Sequence, residues 1–320
     1  MKIADLLVNT NVKVTLAIKT VRTAKTKAPK NKPYLDFILT DGIDSIPAKY
    51  WDWNGQHVPP TDKVYDFQAT VGEWQGNKQL TIASINVNAD LTIADFAPKS
   101  DINLDATFTE ALNIAANVNN SCLSCLATDI LFELKSLWLT VPAANSIHHA
   151  FVGGTLVHSV STAIKAKAVA KVTEGANVDL ATTGALLHDV GKLFGYKLNG
   201  AAIEMTNEGM LQEHLFIGAH FVDNFAEEHG YATDENESIL LMLRHIILSH
   251  HGELEYGAVV TPASIEAVIV SSCDNMDASC EAICEAAHKQ PNKMWTDKVW
   301  SMHNRPILNP VWVNGAITQA

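Results

Sequence analysis

The chain has 320 residues, 47% of them hydrophobic, and a formal net charge of −12. That length and composition allow two domains with real cores, while no apolar run reaches the ~18 residues of a membrane-spanning helix and MKIADLLVNTNVKV lacks the features of a secretory leader. The five cysteines are too few and odd in number for a disulfide framework and point to a reducing cytoplasm.

Charge is unevenly placed. Residues 1–32 carry eight Lys/Arg, including Arg22 and Lys25, against the single acid Asp5, a local balance of +7 that leaves −19 on the rest of the chain. An acidic body with one basic arm fits a local polyanion contact, or else a solvated hairpin tip at TAKTKAPKNKP. Segments VKVTLAIKTV, YLDFILTD, KVYDFQATVGEW and KQLTIASINV alternate with a period of two and are separated by turn-rich APKNKP, DGIDS, NGQHVPPTD and QGNK. Five or so short strands over residues 1–97 predict a small antiparallel barrel, for which the OB-fold is the commonest solution. Such a barrel binds single strands through a basic groove and aromatic platforms. Tyr34, Phe37, Tyr50, Trp51, Trp53 and Trp74 are the candidates, with Trp51 or Trp53 expected outward.

A linker at FAPKSDINL opens a second domain, 98–320, that reads as entirely helical. Asp105 or Thr107 is a candidate cap of its first helix and Asn119–Ser121 of its second. Helices are expected near 179–188, 208–228, 236–250 and 262–288. Cys122-x-x-Cys125 has no second pair for a zinc site and reads as buried helix, as do Cys280 and Cys284. The C-terminal stretch with Trp295, Trp300 and Trp312 reads as a strap on the bundle or on a neighbouring subunit.

Seven metal-capable side chains run through this helical half in order: His158, His188-Asp189, His214, His250-His251 and Asp274. In LLHDVGK a histidine and an aspartate end an apolar helix, with Gly191 placed to terminate it. A buried carboxylate at Asp189 requires a cation. Lys192 supplies one, but a metal ion also explains His188. His250-His251 end ILLMLRHIILSHHG in the same way, and Asp274 is an acid inside an apolar stretch. Imidazole with carboxylate suits Mn, Fe, Co, Ni or Zn. Seven donors, with an aspartate able to bridge, suffice for two ions ~3.5–4 Å apart, an arrangement used in phosphate-ester hydrolysis.

The pattern H…HD…D, filled by His158, His188-Asp189 and Asp274, resembles the HD superfamily of metal-dependent phosphohydrolases, and His214 with His250-His251 resembles its dinuclear members. The words HHAFVGGTLVH, GALLHDVGK, EGMLQEHLFIG and ILSHHGELEYG, the pair Asp274 and Asp277, and PAKYWDW in the barrel are similar to YhaM-type 3′–5′ exoribonucleases, which also place an OB-fold before an HD domain. The segment CDNMDAS is less acidic than that family's. The resemblance implies that His158, His188, Asp189 and Asp274 hold one ion and that Asp189 bridges to a second at His214, His250 and His251. Two divalent transition-metal ions are expected, Mn²⁺ foremost. Asp189 and Lys192 then serve catalysis, Lys192 by neutralising a phosphate oxygen. His149 is a candidate to protonate the leaving oxygen. His148, Trp51, Trp53, Arg22 and Lys25 join Lys192 as candidate substrate contacts.

The expected activity is removal of nucleotides from the 3′ end of single-stranded RNA, and DNA as well, by a cytoplasmic homo-oligomer. Two other readings compete with it. One keeps the metal site and changes the substrate to a cyclic or short oligonucleotide or another small phosphoester. The other is an OB-fold strand-binding module with a non-catalytic HD scaffold.

Overall fold

A computed structural model describes residues 2–144 and 149–318, with side chains to 315. It divides into two compact units, Met1–Asp101 with Leu198–Glu204, and Ile102–Lys197 with Met205–Ala320. The expected boundary at 97/98 did not anticipate residues 198–204 in the first unit.

In the first unit five strands, β1 (Asn11–Lys25), β2 (Pro33–Thr40), β3 (Ser45–Tyr50), β4 (Val64–Trp74) and β5 (Asn77–Asn88), close into a barrel of order β1-β2-β3-β5-β4. The period-two pattern is carried out in β4, where Phe67, Ala69 and Val71 face inward and Gln68 and Thr70 outward. The interior is filled by Leu16, Ile18, Leu35, Phe37, Phe67 and Leu80, apolar side chains whose removal from water drives closure. The barrel is not wholly antiparallel as expected, because β3 and β5 pair in parallel at Ala48–Leu80 and Lys49–Thr81. Strand β3 itself was passed over in the alternation. It is short and holds Pro47, which the sheet tolerates because Pro47 sits beyond the β5 pairing.

The second unit is a bundle of α1 (Leu104–Ala116), α2 (Ser121–Glu133), α3 (Lys135–Trp138), α4 (Gly154–Val172), α5 (Val178–Leu187), α6 (Lys192–Gly195), α7 (Asn207–Glu228), α8 (Glu237–Ser249), α9 (Ile265–His288) and α10 (Pro310–Thr318). Polar residues cap the helix starts: Asn120 accepts from Leu123 N, Asn177 from Leu180 N, Thr206 from Gly209 N and Ser264 from Ala267 N. Each such bond contributes about 1 kcal/mol. The α1 cap is Asn103, accepting from Ala106 N, and not Asp105 or Thr107, which lie inside the helix. Apolar α5 packs against α4, α8 and α9, so Leu180, Leu186, Leu156, Ile246 and Val270 form one core.

Two expectations of continuous helix fail. Tyr196–Asn199 (β6) and Ala202–Met205 (β7) form a hairpin, and Asn199-Gly200, an Asn-Gly turn pair between two short alternating stretches, was its signal. Its tip places Ala201 beside Ala17, Val64 and Phe96 within the first unit. Helix α7 is broken at Glu213, which takes φ 60°, ψ 152°. In the C-terminal stretch, bridges join Trp295 to Leu308 and Val299 to Arg305, and Asn309 Nδ2 donates to Gln290 O, tying the stretch to the end of α9. Among the described residues no helix is long and apolar enough to cross a membrane.

Candidate metal centre

Helix ends of the second unit deliver the predicted ligands to one buried point. His158 comes from the first turns of α4, His188-Asp189 from just past α5, His214 from just past the α7 break, His250-His251 from just past α8, and Asp274 from mid-α9. His158 Nε2 lies 3.0 Å from Asp274 Oδ1 and 3.2 Å from His188 Nε2. The Asp189 carboxylate stands between two groups of imidazoles. Its Oδ2 is 3.5 Å from His158 Nε2 and 3.3 Å from His188 Nε2, whereas Oδ1 is 3.4 Å from His214 Nε2 and 3.5 Å from His250 Nε2. His251 completes a cluster with His214 and His250 in which the ligand atoms lie within 4.8 Å of one another. All seven predicted residues therefore converge.

The imidazoles are oriented by their outer nitrogens. His188 Nδ1 is 2.7 Å from Ala185 O and His250 Nδ1 is 2.8 Å from Ile247 O, the same i−3 contact at two helix ends. His251 Nδ1 is 2.9 Å from Tyr256 O, in the loop that follows Gly252 at φ 80°. A carbonyl accepts only, so these contacts put the proton on Nδ1 and leave the Nε2 lone pair facing inward, as a metal-binding imidazole requires.

Among the described residues, Lys192 is the one lysine or arginine paired with Asp189. Both Asp189 oxygens and His214 Nε2 are buried without a hydrogen-bond partner, a deficit of about 1–3 kcal/mol apiece. Lys192 Nζ reaches 2.7 Å from Asp189 Oδ2, an ion pair three residues along the chain. Burial opposes the charge on Asp189, yet Lys192 and the adjacent imidazoles hold its carboxyl well below the usual carboxylate range. Burial likewise opposes the Lys192 charge, but Asp189 and Asp274 raise its pKa, so it stays protonated. Lys192 is therefore a partly buried partner of Asp189 and not a fully solvated helix-end lysine. His158, desolvated but hydrogen-bonded by Asp274 and Asp277, is raised to about 9, while burial lowers His214 and His251 to about 4. The carboxylates that favour a proton on His158 would favour a divalent cation in its place, and the other imidazoles present lone pairs toward the same point. Nitrogen and carboxylate oxygen donors suit a first-row transition metal.

Gly191 does not end α5 as a left-handed cap. Its φ is −64°, and a Cβ there would sit 2.0 Å from His214 O and 2.6 Å from Gly218 N. The glycine lets the turn after Asp189 lie directly on the α7 backbone, which brings His214 within reach.

His149 is buried behind the cluster, with Nε2 2.9 Å from Asp277 Oδ2 and Nδ1 without a partner. In this position it supports Asp277 and groups with His158. His148 lies outside the described residues. Asp277, given no role from sequence, also receives His158 Nδ1, Ser161 and Lys165. The D-x-x-D spacing was the available signal.

On the barrel, Trp51 is outward and leans on Tyr34, with ring centroids 4.4 Å apart. Trp53 is half-buried and donates Nε1–H to His57 O. Phe37 is core and Trp74 is exposed. Lys25 is exposed at the end of β1. Arg22 is engaged: Arg22, Asp36 and Lys49 face one another across β1, β2 and β3, with Arg22 Nη2 2.6 Å and Lys49 Nζ 2.5 Å from the Asp36 carboxylate. Burial works against ionised Asp36, and these two cations hold its pKa down. An unencumbered Arg22 contact to substrate is thus not what the fold presents. A concavity of about 390 Å³ on this unit is lined by residues including Trp53, Pro59, Lys63 and Tyr65.

Among solved structures, the second OB-fold domain of replication protein A from Methanococcus maripaludis is 15% identical, covering 28% of this chain and 94% of that one, with a TM-score of 0.24. A putative aspartyl-tRNA synthetase from Leishmania major Friedlin is 16% identical over 52% of this chain and 39% of that one, with a TM-score of 0.21. The barrel assignment rests on the strand order above and not on these slight similarities. Residues 155–279, which contain all seven converging candidate ligands, match the family model described as HD domain, and this indicates a metal-dependent phosphohydrolase.

Proposed function

We propose that the chain is a metal-dependent 3′–5′ exonuclease acting on single-stranded RNA, with DNA as a second substrate. The observation that carries the catalytic half is Asp189, a buried carboxylate with no hydrogen bond on either oxygen and a separate pair of imidazole nitrogens facing each one. In this reading His158, His188, Asp189 and Asp274 hold one divalent ion, and Asp189, His214, His250 and His251 hold the other. Mn²⁺ is the proposed metal. Bound there, the ions supply stabilisation of the attacking and leaving oxygens in an in-line displacement at phosphorus. His188 and His250 keep their lone pairs aimed inward through their carbonyl contacts. Lys192, held protonated beside Asp189, neutralises a non-bridging phosphate oxygen.

The nucleic-acid half of the proposal is supported by the first unit. The β2–β3 face of an OB barrel is a strand-binding surface. It carries the Tyr34–Trp51 pair here, next to a β1–β2 loop with exposed Lys27, Lys30 and Lys32. Aromatic stacking contributes about 1–3 kcal/mol per base. Trp295 and Trp300, exposed in the C-terminal stretch, support homo-oligomerisation as part of the same proposal. Five free cysteines accord with a cytoplasmic location.

The test is incubation of purified protein with Mn²⁺ and a 5′-labelled single-stranded RNA. The proposal expects a ladder shortening from the 3′ end. Intact RNA beside efficient hydrolysis of a cyclic dinucleotide would transfer the reading to small phosphoesters. Undiminished activity in Asp189→Ala would reduce the helical unit to a scaffold.

A further inference from the structure

Two carboxylates three residues apart on α9 hold one imidazole from both sides. Asp274 Oδ1 is 3.0 Å from His158 Nε2, and Asp277 Oδ2 is 2.7 Å from His158 Nδ1. The i, i+3 spacing puts both acids on one helix face. Asp277 is buried and fully engaged. Ser161 Oγ and Lys165 Nζ each lie 2.6 Å from its Oδ1, and His149 Nε2 lies 2.9 Å from Oδ2. His158, Ser161 and Lys165 all come from one face of α4, so a single helix supplies both the candidate ligand and the cation that pairs with its support.

No other imidazole of the cluster is backed in this way. His188, His250 and His251 rest on neutral backbone carbonyls, and His214 Nδ1 stands 3.7 Å from the exposed Glu213. A carboxylate behind a ligating imidazole fixes its tautomer and raises its basicity more than a neutral acceptor does. The two groups of donors also differ in charge. His158 has both Asp189 and Asp274 within 3.5 Å, whereas the His214–His250–His251 group faces Asp189 and meets Asp274 only at its His250 edge, within 4.8 Å.

We propose that Asp277, anchored by Ser161, Lys165 and His149, is a positioning residue that makes the His158 site the tighter of two unequal metal sites, so that it fills first and the His214–His250–His251 site fills second. This inference rests on the dinuclear reading above. It assigns a role to the second acid of the D-x-x-D pair that is distinct from ligation. Asp277 lies on the far side of His158 from the ions, and it sets the affinity of one of them.

Calorimetric titration of EDTA-stripped full-length protein with Mn²⁺ alone tests it. Wild type is expected to bind in two resolved steps. In Asp277→Asn the tighter step should weaken by roughly 10- to 100-fold while the weaker step keeps its affinity. Lys165→Met, at a partly exposed position, should weaken the same step by a smaller factor with no loss of melting temperature in EDTA, and it decides the matter if Asp277→Asn does not fold. Equal weakening of both steps, or no change in either variant, overturns the positioning role. If wild type binds no stoichiometric Mn²⁺, the dinuclear reading fails, and the inference with it. Two-step wild-type binding that ignores Asp277 defeats the inference alone.

Discussion

Gly191→Ala is the substitution for which the geometry makes the firmest demand. An added Cβ would lie 2.0 Å from His214 O and 2.6 Å from Gly218 N, where real Cβ contacts essentially never fall below 3.0 Å. Both obstacles are main-chain atoms, so no rotamer change relieves the clash. The turn carrying Asp189 and the α7 backbone carrying His214 must separate by about 1 Å. Forced overpacking of this kind costs about 3 kcal/mol, the upper part of its usual range. For a unit of this size that is roughly 6–12 °C in melting temperature. The same shift lengthens the Asp189–His214 approach, and misplacement of about 1 Å reduces activity by roughly 10²-fold. Gly230→Ala is the control: Gly230 has φ 75° and no atom within 4 Å of the added Cβ. It should lose about 1–2 kcal/mol from left-handed strain alone and leave Mn²⁺ affinity unchanged. Scanning calorimetry in EDTA followed by Mn²⁺ titration reads both effects. If Gly191→Ala melts within about 2 °C of the parent and binds Mn²⁺ normally, the close approach does not position His214 and the account of this glycine is wrong.

Three further outcomes follow from the same geometry. Lys192→Met should lower kcat on an RNA oligonucleotide by roughly 10²- to 10³-fold, and a change confined to KM would reassign it to substrate capture. In EDTA, His158, raised to about 9, contributes stability that is complete below pH 6.5 and lost as the pH climbs through 9. His214 and His251, lowered to about 4, remove stability as the pH falls from 6.5 toward 4. The metal-free melting temperature should therefore peak near pH 6.5, and a flat profile from pH 5 to 9 would contradict these shifts. Trp51→Ala should weaken single-strand binding by about 1–3 kcal/mol in fluorescence titrations without altering Mn²⁺ affinity; unchanged binding would move the strand off the β2–β3 face.

The ligand set was legible in sequence because each member breaks a local rule. A histidine or acid inside an apolar helical stretch carries a desolvation cost that folding accepts only with a partner, and seven such breaks in order point to one centre. Alternation gave four strands for a related reason: a half-buried strand shows its periodicity, whereas the short Pro-containing β3 shows almost none. What was hidden depends on contacts distant in the chain. The positive φ of Glu213 interrupts a sequence with good helical periodicity, and nothing local announces that His214 must be turned toward Asp189. Gly191 looked like a helix stop because glycine after an apolar helix commonly is one, but its cause is a backbone 23 residues later. Asp277 meets His158 across 119 residues, so its spacing from Asp274 marked it as part of a pair without showing what it supports. The contact of His149 with Asp277 was hidden on the same account, since Asp277 had no role from sequence. The hairpin at Tyr196–Met205 is the one miss with a local sign, its Asn-Gly turn, overlooked inside an otherwise helical half.

The central claim is a pair of ions bridged by Asp189, and metal counting tests it most directly. Protein loaded with Mn²⁺ and freed of excess by gel filtration should retain two ions per chain by elemental analysis, and Asp189→Asn, deprived of the shared carboxylate, should retain fewer than one. Two ions per chain in both proteins, or none in wild type, would contradict the account.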